Sequence, residues 1–211
     1  MRESQLETRN LKLETPKITG VILAGGQGRR MGSVDKGLRE LRGKPMVGWV
    51  LERFMPQVEE IIINANQNLD IYARFGHRVI ADEIGGYAGP LAGLHCALNA
   101  AHHPLVATVP CDSPFLPADL VARLHSALQA QQSQLAVART GDQPHPVFCL
   151  CRRDVLPHLT QFLASGGRKI DAWYATLSVT EVAFDEETQA FSNINTPEEL
   201  AAFESATPRA L

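Results

Sequence analysis

The sequence predicts an α/β protein with a three-layer, doubly wound and mostly parallel sheet that has an antiparallel portion in the C-terminal half. Apolar runs of strand length alternate with helix-length patterns from residue 18 almost to the end of the chain. Such alternation favours a parallel sheet covered by helices on both faces. Two runs joined by turn residues in the second half predict the antiparallel portion.

The first half of the chain begins with a buried strand at Ile18–Leu23, which Gly25 and Gly26 end. Pro45 then opens a helix to about Met55, because proline suits the first helical position and apolar residues follow on one stripe. The other elements predicted here are strands at 60–65, 77–81 and 105–109 and helices at 69–75 and 90–101.

In the second half, a helix is predicted at 117–131 because Leu120, Leu124 and Leu128 recur every four residues. Strands at 135–139 and 146–150 are joined by the turn residues 140–143. A helix at 155–164, a shorter one at 170–175 and a strand at 178–184 follow. Thr196 and Pro197 form a good cap and first position for a last helix.

Composition excludes several classes of partner. The net charge of -3 provides no global basic field for nucleic acid or an anionic membrane. No apolar run approaches the roughly 18 residues of a membrane span, and residues 1–17 read as a polar extension.

The four cysteines contain no Cys-x-x-Cys pair, and Cys149 and Cys151 would share one face of a strand. Buried, reduced thiols in a cytoplasmic protein fit this pattern best, with metal binding as the alternative.

A glycine-rich loop follows the first strand and is the strongest local signal for a ligand. Gly25, Gly26 and Gly28 are followed by the cations Arg29, Arg30 and Lys36. Glycines let backbone N–H groups approach phosphate oxygens, and clustered cations suit a triphosphate. The spacing matches neither the P-loop nor the dinucleotide-binding fingerprint. A glycine turn with solvated arginines is the alternative.

Two further strand ends carry polar residues where a doubly wound sheet binds ligands. Asn64 and Asn66 close the isoleucine-rich strand, and Asp82 follows the next strand. Amide and carboxylate groups there can read base edges or ribose hydroxyls, with simple turn formation as the alternative for the asparagines.

Asp112 follows the strand at 105–109 directly and lies between Pro110 and Pro114. A carboxylate held between two prolines is aimed rigidly, and Mg²⁺ commonly takes one or two carboxylates together with substrate phosphates. We therefore expect Asp112 to be a metal ligand on a solvent-facing loop. The alternative is a helix N-cap, but Pro117 starts the predicted helix later.

Taken together, these motifs resemble those of the small nucleotidyltransferases of cofactor biosynthesis, and the whole set is similar to the molybdenum cofactor guanylyltransferases. The opening glycine loop alone is shared by many nucleotidyltransferases, and the combination is more specific. The resemblance covers about residues 18–203. Its matching pieces are residues 23–26, 30–32, 35–37, 43–45, 64–66, 89–93, 110–114 and 193–197.

The resemblance implies a Rossmann-like nucleotidyltransferase fold and the transfer of GMP from GTP to molybdenum-loaded molybdopterin, with release of pyrophosphate. It implies a single domain at 18–211, with a nucleotide half at 18–115 and an acceptor half at 116–211. Arg30, Lys36 and Asp112 would be the catalytic residues, with Mg²⁺ on Asp112. The residues expected to bind nucleotide or pterin are Leu23, Ala24, Gly25, Gly26, Gly28, Lys36, Asn64, Asp82, Asp112, Asn193 and Asn195.

Two other functions stay open from the sequence. One is a cytidylyltransferase that acts on the same or another phosphorylated acceptor, because a few loop contacts decide the choice of base. The other is a non-catalytic chaperone that binds nucleotide or cofactor. The expected partners are GTP and molybdopterin carrying molybdenum, with molybdoenzyme apoproteins or their chaperones as receivers of the product. Asn193 and Asn195 could bind the pterin or only shape the turn before the last helix.

Overall fold

A seven-stranded sheet organises the chain in the computed structural model, which describes residues 17–25, 35–82, 89–192, 194 and 199. The strand order is β5-β4-β1-β6-β8-β7-β9, and a separate small hairpin pairs β2 with β3. The strands are β1 (Ile18–Leu23), β2 (Glu40–Leu41), β3 (Lys44–Pro45), β4 (Glu60–Asn64), β5 (Arg78–Ile80), β6 (Leu105–Pro110), β7 (Leu135–Thr140), β8 (Gln143–Arg152) and β9 (Val179–Ala183).

Strand β1 lies at the centre of the parallel portion, between β4 and β6. Its residues are almost all buried, as the continuous apolar run predicts for a strand covered on both faces. Leu23 is in register with Asn64 on one side and with Pro110 on the other. The carboxyl ends of three strands are therefore level, which brings the loops after them to one edge of the sheet. We call this edge the carboxyl edge.

The antiparallel portion is built around β8, which pairs antiparallel with both β6 and β7, while β9 pairs parallel with β7. This confirms the predicted change of direction in the C-terminal half. Strand β8 begins at Gln143 rather than at the predicted Pro146, so the turn is shorter than expected. The β7–β8 register shifts between Val137 and Ala138, opposite the stretch of β8 that contains Pro146. An irregular stretch tolerates a residue without an N–H, which explains how the strand extends past Pro146.

Helices cover both faces of the sheet and complete the three layers. One buried cluster packs α1 and α4 against the sheet, and Tyr72 of α2 joins it. A second cluster packs α3, α5 and α6 against the other face. The helices are α1 (Met46–Phe54), α2 (Leu69–Ala73), α3 (Pro90–Ala100), α4 (Leu120–Ala130), α5 (Leu156–Ala164) and α6 (Ile170–Tyr174). The predicted α/β class and its doubly wound arrangement are confirmed.

Some boundaries differ from the predicted ones. Helix α4 begins at Leu120, with Asp119 at its N-cap position, and not at Pro117. The two-residue strands β2 and β3 were not predicted, because such short strands carry no periodicity. The predicted start of the last helix at Thr196 lies outside the described residues. All four cysteines are buried and free, as expected, and no helix among the described residues is long and apolar enough to cross a membrane.

Candidate functional site

The end of β1 is joined by backbone hydrogen bonds to both neighbouring strands. The Ala24 N–H donates to the Asn64 carbonyl at 2.7 Å, and the Cys111 N–H donates to the Leu23 carbonyl at 3.2 Å. A Cβ on Gly25 would lie 2.7 Å from Nδ2 of Asn66, so a larger residue here would have to displace the Asn66 side chain. The structure thus brings Leu23, Ala24 and Gly25 to the carboxyl edge. Three other predicted members of this loop lie outside the described residues: Gly26, Gly28 and Arg30.

A network of amide and carboxylate groups closes the edge on the β4–β5 side. Nδ2 of Asn64 donates to Oδ1 of Asp82 at 2.9 Å, and Nδ2 of Asn66 donates to Oδ2 of Asp82 at 2.8 Å. The Asp82 N–H donates back to Oδ1 of Asn66 at 2.8 Å. Asn64 is buried, whereas Asp82 is half-buried and Asn66 is exposed. Both oxygens of Asp82 are therefore held in a fixed orientation beside the glycine loop.

Asn66 was part of a sequence motif but not of the predicted site. The structure makes it a member of the network, because it contacts both Asp82 and the glycine loop, where its Nδ2 donates to the Gly25 carbonyl at 3.3 Å. The signal in the sequence was the spacing of two between Asn64 and Asn66, which are the last residue of β4 and the second residue after it.

Lys36 and Asp112 meet at the same edge, although 76 positions separate them in the sequence. Nζ of Lys36 lies 3.3 Å from Oδ2 of Asp112. Lys36 begins a short 3-10 helix, Lys36–Leu38, and Asp112 lies in the turn after β6. Two of the three predicted catalytic residues are therefore in direct contact.

Asp112 is only 7% exposed, so the expectation of a solvent-facing carboxylate was wrong. The residues around it come from distant parts of the chain, which a local motif cannot reveal. Burial raises the pKa of the Asp112 carboxyl, and the charge of Lys36 and its hydrogen bond offset only part of this rise. The adjoining thiol of Cys111 is buried as well, and its pKa is raised well above its ordinary value, chiefly by burial. A further cation near Asp112 would stabilise its ionised form.

The C-terminal part of the chain returns to the loop that carries Asp112. The Ile194 N–H donates to the Asp112 carbonyl at 3.1 Å. Just before this contact, the ring of Phe191 stacks on that of His145 in β8, with 4.7 Å between the centroids. The predicted pterin-binding residues Asn193 and Asn195 adjoin Ile194 in sequence and lie outside the described residues.

Comparison with known proteins gives a consistent picture. The MobA-like NTP transferase domain matches residues 20–179. A relative from Shewanella amazonensis, named molybdenum cofactor guanylyltransferase, is 48% identical over 190 residues, which are 90% of this chain and 97% of the relative. A relative of the same name from Burkholderia ambifaria is 49% identical over 197 residues, which are 89% of this chain and 96% of the relative.

Among solved structures, molybdopterin-guanine dinucleotide biosynthesis protein A from Archaeoglobus fulgidus superimposes with a TM-score of 0.73. It is 26% identical, and the match covers 88% of this chain and 96% of that protein. The similarity in sequence and in fold therefore extends over nearly the whole of each chain compared.

Proposed function

The chain belongs to the MobA-like NTP transferase domain family, and from that membership we propose that it transfers GMP from GTP to molybdenum-loaded molybdopterin. Pyrophosphate is the second product. The structural observation that carries the proposal is the contact of Lys36 with Asp112 at 3.3 Å, beside the end of β1. It joins a cation suited to phosphate with a carboxylate suited to a divalent metal ion at one edge of the sheet.

In the reaction, an oxygen of the acceptor phosphate attacks the α-phosphorus of GTP. A new phosphorus–oxygen bond forms while the bond from the α-phosphorus to the bridging oxygen breaks, and pyrophosphate leaves with that electron pair. Because the acceptor is already anionic, the protein needs no nucleophile and no strong general base. Its residues position two polyanions and neutralise their charge.

On the donor side, we assign the nucleoside to the glycine loop and to the asparagine–aspartate network. The backbone of Leu23, Ala24 and Gly25 forms one wall, and Asp82 offers oxygens that Asn64 and Asn66 hold in place. Lys36 contacts the phosphates. For Gly26, Gly28 and Arg30, which lie outside the described residues, contact with the triphosphate stays a prediction.

The metal ion we propose is Mg²⁺, held by Asp112. The donor fits, because the carboxylate is a hard oxygen ligand, is nearly buried, and has a pKa that Lys36 only partly restores. When bound, Mg²⁺ would neutralise charge on the phosphates and on the leaving pyrophosphate. Lys36, whose Nζ lies 3.3 Å from the same carboxylate, would orient the phosphates.

On the acceptor side, we propose that the pterin binds to the half of the domain at 116–211. Ile194 donates to the Asp112 carbonyl, so the chain at this position reaches the donor site. The neighbouring Asn193 and Asn195 stay the predicted pterin ligands.

Changing both Asn193 and Asn195 to alanine should weaken molybdopterin binding in calorimetry and leave GTP affinity nearly intact. Molybdoenzyme apoproteins or their chaperones would receive the product.

The test is mass spectrometry of the product made by the purified protein from Mg²⁺, GTP and molybdenum-loaded molybdopterin. We expect the mass of the guanine dinucleotide form together with one pyrophosphate per turnover. CTP offered in competition should be used far less. A cytosine product would overturn the choice of donor, and nucleotide binding without pyrophosphate release would overturn the enzymatic function.

A further inference from the structure

The carboxylate of Asp35, next to Lys36 in sequence, receives three hydrogen bonds. The hydroxyl of Tyr72 donates to Oδ1 at 2.6 Å, and the Gly37 N–H donates to the same oxygen at 3.2 Å. Nδ2 of Asn68 donates to Oδ2 at 3.0 Å. With both oxygens engaged from different parts of the chain, the carboxylate of Asp35 has one favoured orientation.

Asp35 in turn fixes the backbone that carries Lys36. It is the N-cap of the 3-10 helix Lys36–Leu38, where its side chain accepts from Gly37 and its carbonyl accepts from the Leu38 N–H at 3.3 Å. A side chain cap of this kind holds the first residues of a helical turn in place. The backbone of Lys36 is therefore oriented by the same carboxylate that Tyr72 contacts.

The side chain of Tyr72 is held in one position, so its hydroxyl meets Asp35 from a fixed point. Its side chain is fully buried against the core below the carboxyl edge, although its hydroxyl reaches the edge itself. A Cβ on Gly37 would lie 2.5 Å from the Tyr72 hydroxyl oxygen and 3.1 Å from Sγ of Cys111, the residue before Asp112. The 3-10 turn thus lies directly on the Tyr72 hydroxyl and on the strand end that carries the metal-binding carboxylate.

We propose that Tyr72 is a positioning residue for nucleotidyl transfer, which acts through Asp35 to orient Lys36 toward the triphosphate and toward Asp112. This inference rests on the proposed function in one respect, the contact of Lys36 with the phosphates of the donor. A lysine side chain has much rotational freedom. When its backbone is fixed, a larger share of its conformations brings Nζ to the phosphates. Because Tyr72 is fully buried, it would act through Asp35 and not by touching substrate.

The test is a double-mutant cycle on nucleotide binding, measured by calorimetry with Mg²⁺ and without acceptor. Tyr72→Phe removes only the hydroxyl and keeps the packed ring. We expect it to weaken GTP binding about tenfold when Lys36 is present, the scale of one hydrogen bond to a charged group. In the Lys36→Ala background the same change should cost less than about twofold, because the group that Tyr72 positions is gone.

An equal loss of GTP affinity on Tyr72→Phe with Lys36 and with Lys36→Ala would overturn the proposal, since Tyr72 would then contribute independently of Lys36. No loss in the protein that retains Lys36 would overturn it as well. If the protein prefers CTP, the proposed donor is wrong, and the cycle run with CTP decides on Tyr72 in the same way because Lys36 meets phosphate with either base. A protein that binds no nucleotide would overturn both the proposed function and this inference.

Tyr174→Phe is the matched control. Tyr174 is half-buried in the cluster on the other face of the sheet, and its hydroxyl donates to the Pro146 carbonyl at 2.7 Å. We expect a similar loss in melting temperature and less than about a twofold change in GTP affinity. Asn68→Ala is a second probe if Tyr72→Phe does not fold. It removes the donor to the other oxygen of Asp35 from an exposed position, and its smaller loss in affinity should also disappear with Lys36→Ala.

Discussion

Two acidic residues lie at opposite ends of the same sheet, and the protein shifts their pKa values in opposite directions. At the amino end of β4, Oε2 of Glu60 accepts from the Thr19 hydroxyl at 2.6 Å and from the His102 N–H at 3.2 Å, while Oε1 lies 2.7 Å from Nδ1 of His102. At the carboxyl edge, Asp112 is paired with Lys36 at 3.3 Å. Burial acts to raise the pKa of both groups. The hydrogen bonds of Glu60 more than offset it, so that its pKa is lowered, whereas the pKa of Asp112 stays raised.

The difference separates an acid that stabilises the fold from an acid that we propose binds a metal ion. A carboxylate whose pKa is lowered on folding contributes stability in its charged form, and one whose pKa is raised costs stability. Glu60 has its partners within the protein. Asp112 is desolvated and incompletely compensated, which is typical of groups at functional sites. Substitutions at each end of the sheet test this division.

The largest effect is expected for Asp112→Ala. We expect GMP transfer to fall by about a thousandfold or more, because the carboxylate proposed to hold the metal is gone. The melting temperature of the free protein should stay unchanged or rise, since the change removes an acid that is ionised at a cost in the fold. Turnover assays and thermal melts measure the two quantities. Unchanged turnover and Mg²⁺ dependence would show that Asp112 is not the metal ligand.

Lys36→Ala should lower turnover by about a hundredfold, the scale of one preorganised charge stabiliser. Lys44→Ala is a close control, because the Lys44 side chain is 30% exposed against 29% for Lys36 and is also paired with a carboxylate, that of Glu52. We expect the control to change turnover by less than about twofold. A Lys36 variant that melts much earlier but retains its rate per folded molecule would assign Lys36 a structural role instead.

Asp82→Ala should weaken GTP binding by about tenfold, because the oxygens that Asn64 and Asn66 orient are lost. Asp154→Ala is the control, since Asp154 is an exposed acid paired with Arg152. Calorimetric titration with GTP compares the two variants. Equal affinities would remove Asp82 from the nucleotide site.

Glu60→Gln should have the smallest effect on function and a clear effect on stability. We expect a loss of about 1–2 kcal/mol in the free energy of unfolding near neutral pH, with turnover unchanged. The pKa of Glu60 is lowered in the fold from its ordinary value of 4.5, so its contribution is present above that value and is lost as the pH falls through the folded pKa. Urea titrations should show the two proteins converging in acid. A constant difference at every pH would assign the effect to packing.

The sequence predicted the sheet well because its signal is local. Each buried strand is a continuous apolar run, and Asn64 and Asp112 could be placed at strand ends because parallel strands share one edge. The sequence did not predict features that depend on contacts between residues far apart in the chain. The burial of Asp112 was missed, because it involves contacts from Lys36 and Ile194, which are far from it in sequence.

The contact of Tyr72 with Asp35 was missed for the same reason, since 37 positions separate the two residues. The helix boundary at Leu120 was missed for a different reason. Pro117 is a good first residue for a helix by local preference, but the chain forms turns from there to Asp119 before the helix begins.

The hydrogen bond from Ile194 to the Asp112 carbonyl has a consequence for the order in which a newly made chain matures. Translation proceeds at about 5–20 residues per second, so the roughly 80 residues between these two positions take about 4–16 s to be made. Strands β1, β4 and β6, which carry the proposed nucleotide site, have been made before that interval ends, while Ile194 is still missing. A nascent chain therefore contains the strands of the proposed nucleotide site before the hydrogen bond between Ile194 and Asp112 can form.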